Sequence, residues 1–250
     1  MNPERSSKFE RDNEMLERLY RKYARDGIKI SNWKLRLRFT IKKAMWIAVV
    51  RGSQTVKRAM DIVGSAIGLL ILSPLLGLTA LLIKLEDGGP VFFASDRAGR
   101  LGKKFKMYKF RSMVLDAEKM KESLLEQNET GGVIFKIKRD PRITRVGRII
   151  RKLSIDELPQ LYNVLIGDMS LVGPRPHPIK EVELYTLEDR RRLEVTPGLT
   201  CFWQVSGRSD VDFKTQVGLD VQYIESQSFW GDIKLLLKTI PAVISGRGAY

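Results

Sequence analysis

A length of 250 residues allows one domain with appendages, or two small domains, and is enough to bury a core. The net charge of +15 directs the chain toward anionic partners such as nucleic acid, acidic lipid or phosphorylated substrates. A single cysteine, Cys201, excludes a disulfide framework and points to a reducing compartment, while a single histidine, His177, excludes His-rich metal sites and argues against a His-based triad.

The first 30 residues are highly charged and hold no apolar core segment, so no signal peptide is expected. Residues 10–26 predict a charged helix with a thin apolar stripe of Met15, Leu16, Leu19 and Tyr23. Residues 32–50 alternate basic and apolar side chains and then turn apolar; with Trp33 and Trp46 they suit a membrane surface better than a core. From Ile62 to Ile83, 22 residues carry no charge. As one helix they would extend about 33 Å, enough to cross a bilayer core. Ser73-Pro74 sits near the middle. Proline removes a backbone donor and clashes with the preceding turn, so a kink is expected, with the serine hydroxyl satisfying a freed carbonyl. Residues 1–60 hold 16 Lys and Arg against 6 Asp and Glu, a balance of +10, and the far flank begins with Lys84 and continues basic. Positive flanks tend to stay cytoplasmic. The segment is therefore expected to break at Ser73-Pro74 and return as a re-entrant hairpin, with a kinked full crossing as the runner-up.

Gly88-Gly89-Pro90 marks a break, after which 91–95 and 103–110 read as the strands of a hairpin. In the second strand the two-residue period puts Phe105, Met107, Lys109 and Arg111 on one face. Residues 114–127 predict a charged helix, 131–142 a loop or short strand turning at Asp140-Pro141, and 143–152 a basic helix with Arg145, Arg148 and Lys152 on one side. The stretch KLSIDELPQLYNVLIGDMSLVGPRP, 152–176, reads as a helix with Asp156 as N-cap, Glu157 at N1 and Pro159 at N3, ending at Gly167. Residues 179–193 predict another charged helix. Residues 196–208 predict a Pro-Gly turn, a strand packing Cys201, and a Gly-Arg loop. Residues 230–246 are amphipathic and either pack on the core or rest on lipid. No internal repeat or low-complexity linker is present.

Two adjacent carboxylates exceed what starting a helix requires. A helix start carries free N–H groups and a positive dipole end, so Asp156 is expected to have a lowered pKa, to stay ionised, and to meet phosphate among cations. Aspartate is an established phosphoryl acceptor, and Glu157 could hold a divalent cation or take a proton. The candidate cations are Lys109, Arg111, Arg151 and Arg175, the last held between two prolines. An acidic pair, several arginines and a membrane segment together suit a phosphorylated substrate whose other partner is a lipid.

At these residues the chain resembles the bacterial sugar transferases, the monotopic polyprenyl-phosphate phosphoglycosyl transferases. The resemblance runs from about Lys57 to Tyr250 and is carried by KRAMDIVGSAIGLLILSPLL, GPVFFASDRAGRLGKKFKMYKFRSM, RKLSIDELPQLYNVLIGDMSLVGPRP, TPGLTCFWQVSGR and LLLKTIPAVISGRGAY, in that order. It implies transfer of a sugar-1-phosphate, by analogy a hexose phosphate, from a UDP-sugar to undecaprenyl phosphate with release of UMP. That step begins glycan or exopolysaccharide assembly at the cytoplasmic face of the bacterial inner membrane. The resemblance further implies Asp156 as the nucleophile that forms a phosphosugar-aspartyl intermediate, Glu157 as its assistant, and Mg²⁺ on the donor diphosphate, with Asp156 as the protein ligand. Lys109, Arg111, Arg151 and Arg175 match positions that look like phosphate or substrate contacts. Gln204 and Arg208, with Trp203, either belong to the nucleotide site or serve a strand and turn. Asp168 matches too, or is a structural cap.

The expected class is α+β: a mostly helical, membrane-associated domain with a re-entrant helix hairpin, a small β-hairpin and amphipathic interfacial helices. The expected divisions are a basic amphipathic extension at 1–56, the membrane hairpin at 57–87 broken at Ser73-Pro74, and a cytoplasmic catalytic domain at 88–250. The expected partners are the UDP-sugar, undecaprenyl phosphate and membrane lipid, with homo-oligomerisation open and no nucleic acid. The alternative is a non-enzymatic membrane-surface adaptor that binds acidic lipid or nucleic acid through its positive charge.

Overall fold

The computed structural model describes residues 33–117, 119–120, 140–206 and 211–245. The helix expected at 10–26, most of the one at 114–127, residues 131–139 of the expected loop, and Arg208 lie outside the described residues. The chain forms two compact units, 1–52 and 53–250. The described part of the first is helical throughout, with Leu37, Arg38, Ile41 and Lys42 exposed.

Helix α1 covers Trp33–Asp87 and continues through Pro74. The expected division into two helices at Ser73-Pro74 is therefore absent. The hydrogen bond expected at Ser73 is present. Pro74 has no N–H to offer the Leu70 carbonyl four residues earlier, and the Ser73 hydroxyl donates to that carbonyl at 2.8 Å instead. Within the second unit α1 has two faces. Asp61, Ser65, Thr79 and Ile83 are buried, and Leu69, Leu72, Leu76 and Ala80 pack on the core. Val63, Ile67, Leu70, Ile71, Leu78, Leu82 and Leu85 form an exposed apolar stripe on the other side. The stretch Gly52–Asp87 is long and apolar enough to cross a membrane.

The hairpin follows as expected. Strands β1 (Phe92–Ala98) and β2 (Lys104–Phe110) pair antiparallel, Ser95 opposite Met107, around a 3-10 turn at Arg100–Gly102. Helix α2 (Arg145–Lys152) is capped by Thr144, whose side chain accepts from the Gly147 N–H. A 3-10 turn at Ile155–Glu157 leads into α3 (Gln160–Ile166), which closes on Gly167 with φ 98°. Strand β3 (Ser170–Val172) pairs in parallel with β4 (Gly198–Thr200), Ser170 opposite Gly198. Neither the β3 strand nor its parallel pairing is visible in the local sequence pattern.

The charged helix expected over 179–193 divides into α4 (Ile179–Val182) and a 3-10 turn at Asp189–Leu193. A reciprocal Thr186–Asp189 cap restarts the backbone there, and Arg192 is drawn inward to a buried ion pair with Asp220. The strand expected within 196–208 is β4, which stops at Thr200; Phe202–Ser206 forms α5, so Trp203 and Gln204 are helical, and Cys201 is buried at the strand-to-helix connection. Helices α6 (Phe213–Ser226) and α7 (Phe229–Ser245) complete the described chain. The main core joins Phe105, Met107, Leu161, Val164, Met169, Leu171, Val172, Tyr223 and Leu235, which brings the hairpin, α3, β3, α6 and α7 together.

Candidate active site

The site grows from three local structures. The first is the turn holding the acidic pair. Ser154, between α2 and the 3-10 turn, adopts φ 55°, a left-handed conformation that costs a non-glycine residue about 1–2 kcal/mol. That backbone reversal aims Asp156 inward and buries it. Asp156 is thus inside a 3-10 turn and not an N-cap, and Pro159 immediately precedes α3 in place of the expected N3 position. Pro159 stops the 3-10 turn from merging with α3, because its ring excludes an N–H bond back into the turn.

The second is strand β2, which carries Lys109. Its backbone is fixed to α3 by the fully buried Asn163. The Asn163 Oδ1 accepts from the Tyr108 N–H at 3.0 Å, and its Nδ2 donates to the Lys106 carbonyl at 2.7 Å. A polar residue inside the apolar run of a helix is the signal for this lock that the sequence carries. The third is the segment after β3. The Gly173 N–H donates to the Thr200 carbonyl at 3.0 Å, the last bond of the β3–β4 ladder, and the Gly198 N–H donates to the Pro174 carbonyl at 2.8 Å, which folds the chain back onto β4 just before Arg175. The Val172 carbonyl accepts from Lys57 Nζ and from the Tyr223 hydroxyl, each at 3.0 Å.

These elements surround a cavity of about 370 Å³ lined by Lys109, Arg151, Asp156, Glu157, Arg175, Trp203 and Gln204, among others. Glu157 Oε1 accepts from Lys109 Nζ at 2.7 Å and from Arg175 Nη2 at 2.5 Å, and Arg175 Nη1 reaches Oε2 at 3.4 Å. Burial pushes Glu157 toward protonation, but Arg175 and Lys109 outweigh it and hold its pKa well below the usual carboxylate range. Asp156 is the opposite case. Lys109 Nζ is 3.7 Å from its Oδ2, and it accepts no hydrogen bond from a described residue. Burial pushes its pKa up, the Glu157 charge adds to the rise, and Lys109, Arg151 and Arg175 do not cancel it. The lowered pKa expected at residue 156 is thus found at Glu157. The expectation failed because it treated the pair as a helix start in water and not as a buried pair competing for the same cations.

Arg111 is absent from this cavity. Its guanidinium pairs with Asp87 at the end of α1 and donates to the Pro90 carbonyl at 2.6 Å, because β2 ends at Phe110 and the strand alternation ends with it. Gln204 lines the cavity and its Oε1 accepts from the Cys201 thiol at 3.1 Å. Trp203 also lines it, and its buried Nε1–H has no partner among the described residues. A buried donor without a partner costs about 1–3 kcal/mol, and a ligand acceptor would offset that cost. Asp168 lies in the turn after α3 and is not among the residues that line the cavity.

Among the described residues no group of three His, Cys, Asp or Glu side chains converges. A Mg²⁺ ion does not need one, since it commonly takes one or two carboxylates and completes its shell with phosphate oxygens and water. Asp156, the carboxylate not tied up by hydrogen bonds to the cations, and its neighbour Glu157 fit that donor pattern.

The sequence model of the family described as bacterial sugar transferase matches residues 52–246. Galactosyl transferase CpsE of Streptococcus agalactiae serotype III is 51% identical over 197 residues, which are 77% of this chain and 43% of that protein. Undecaprenyl-phosphate galactose phosphotransferase of Salmonella typhimurium is 48% identical over 205 residues, 80% of this chain and 43% of that protein. Exopolysaccharide production protein ExoY of Rhizobium meliloti is 43% identical over 198 residues, 78% of this chain and 88% of that protein. The matched region thus spans less than half of the first two relatives and nearly nine-tenths of the third.

Proposed function

Because the chain belongs to the bacterial sugar transferase family, we propose that it is a phosphoglycosyl transferase that moves a sugar-1-phosphate, a hexose phosphate, from a UDP-sugar to undecaprenyl phosphate. The name of the Salmonella relative supports both the acceptor and the kind of group transferred. The observation that carries the chemistry is the division of labour between adjacent carboxylates. Glu157 occupies Lys109 and Arg175 at 2.7 and 2.5 Å, while Asp156 stands beside them and accepts no hydrogen bond from a described residue.

In the proposed reaction the donor diphosphate enters the cavity and takes over Lys109, Arg151 and Arg175 as its counter-charges. An Asp156 oxygen attacks the phosphorus that carries the sugar. The bond from that phosphorus to the bridging oxygen breaks, and UMP leaves with the oxygen. A phosphate oxygen of undecaprenyl phosphate then attacks the same phosphorus, and the Asp156 carboxylate departs unchanged. Burial serves this chemistry, since a carboxylate stripped of water and of close hydrogen bonds is a better nucleophile than a paired one. Mg²⁺, when bound by the Asp156–Glu157 pair and the phosphates, would neutralise charge on the diphosphate.

The reading also places the protein at the cytoplasmic face of the inner membrane. Two observations support this: the exposed apolar stripe of α1, and the anchoring of its 57–87 part at both ends within the second unit. Lys57 bonds to Asp232 at 2.6 Å, and at the other end Asp87 pairs with Arg111 while Glu86 accepts from the Arg145 N–H at 2.8 Å. A full crossing would drag the charged partners of one end through the hydrocarbon, at several kcal/mol for each unsatisfied group. Both ends therefore stay on one side.

Intact-mass measurement of the protein given donor and no acceptor is the test. The wild type should gain one sugar-phosphate, and Asp156→Asn should gain none and lose turnover by several orders of magnitude. Near-normal turnover of Asp156→Asn would overturn the covalent scheme.

A further inference from the structure

Resting on the proposed transfer reaction and extending it, we infer that the acceptor's hydrocarbon chain runs from the reaction cavity into a separate apolar groove along α1. This groove, about 470 Å³, lies between Leu76, Gly77 and Ala80 of α1 on one side and Tyr108, Pro159 and Tyr162 on the other, and its walls are almost wholly carbon. The Tyr108 and Tyr162 rings meet edge to face with centroids 5.9 Å apart, which gives that side a rigid aromatic wall.

The position of the groove identifies its occupant. Tyr108 and Lys109 are consecutive on β2, so their side chains leave the strand on opposite faces, one into the groove and one into the cavity. Pro159 is three residues past Asp156, an advance of about 5 Å along a helical turn. One strand and one turn therefore separate a site for phosphate from a site for hydrocarbon. The exposed stripe around Leu70, Ile71 and Leu78 lies on the same helix as the far wall, so the groove adjoins the surface that the proposal sets against lipid. A molecule that presents an anion to the cavity and apolar carbon to the groove is a lipid phosphate. Within the proposed reaction that lipid phosphate is the prenyl phosphate acceptor. The reach between the two sites also means the first isoprene units, and not the distal ones, are read.

The test uses the two half-reactions. A Cβ added at Gly77 meets no atom within 4 Å, and leucine is favoured over glycine inside a helix, so Gly77→Leu should fill the groove while leaving the fold intact. With the full-length protein in nanodiscs of fixed phospholipid composition, Gly77→Leu should raise the KM for undecaprenyl phosphate about tenfold. The burst of UMP released by donor in the absence of acceptor should be the same as in wild type. Tyr162→Ala, which removes a wall instead of filling the space, should raise the same KM. With an acceptor shortened to methyl phosphate, which carries no isoprene unit, the wild type and Gly77→Leu should become indistinguishable. An unchanged undecaprenyl phosphate KM in both variants would overturn the assignment, as would a KM difference that persists with the shortened acceptor. A burst lost in Gly77→Leu would reassign the groove to the donor. A wild-type protein that gives no burst would overturn the transfer reaction itself.

Discussion

Asp156 and Glu157 are neighbours in the chain and opposites in electrostatic state. Glu157 holds the cations and is driven to ionise; Asp156 is buried beside that charge and resists ionising. The sign of the pH dependence follows. Attack needs the Asp156 carboxylate, so kcat/KM should rise with pH as that group loses its proton, above the usual carboxylate range. Glu157→Gln removes a like charge and frees Lys109 and Arg175 for Asp156, so its acid limb should move to lower pH even as activity falls. Lys109→Met removes a cation and should move the limb upward. A pH profile of kcat/KM for the three proteins measures this, and an acid limb that stays fixed in both variants would mean that another group titrates. Burial also raises the Cys201 thiol and lowers His177 to about 4, so neither the single cysteine nor the single histidine is poised for chemistry near neutral pH.

The short parallel pair β3–β4 positions more of the site than its six residues suggest. It supplies the Val172 carbonyl clamped by Lys57 and Tyr223, and it delivers Arg175 to Glu157. The segment after β3 can pass this close to β4 because both residues at the contact are glycine: a Cβ built at Gly198 would lie 2.0 Å from the Gly173 nitrogen. Gly198→Ala should therefore part the strands, destabilise the fold by about 1–3 kcal/mol and misplace Arg175. Thermal unfolding measures the first effect and the KM for the donor the second. An alanine variant with wild-type stability and KM would show that the ladder yields without disturbing the site. Helix α1 teaches a complementary lesson. It runs on through Pro74, and the neighbouring serine hydroxyl takes over the carbonyl that the proline leaves without a donor.

In the second unit α1 lies along the core by one face and is tied down near both ends, so its relation to a membrane is decided by the unit as a whole. Impermeant thiol labelling of Gln54→Cys and Lys103→Cys, made in a Cys201→Ser background, tests this in oriented membranes. Both positions should label from the cytoplasmic face, and labelling from opposite faces would establish a full crossing. The buried Arg192–Asp220 pair, packed under Tyr185 and Phe213, shows the same dependence on the whole. A run of charges that reads locally as a solvated helix instead sends one arginine into the interior.

The sequence by itself determined the features with short range. These are the long apolar segment, the hairpin, the helix ended by Gly167, and the acidic pair with its basic company. Each of them follows from periodicity, turn chemistry or composition within a few residues. The tertiary structure alone decided which cations reach which carboxylate, that Arg111 serves the end of α1 and not the cavity, and that Trp203 and Gln204 sit on a helix. It also decided that Asp156 is the less acidic partner. Desolvation and ion pairing depend on which surfaces meet across the core, and residues such as Lys109, Glu157 and Arg175 meet from three separate elements. No local pattern along the chain encodes that meeting.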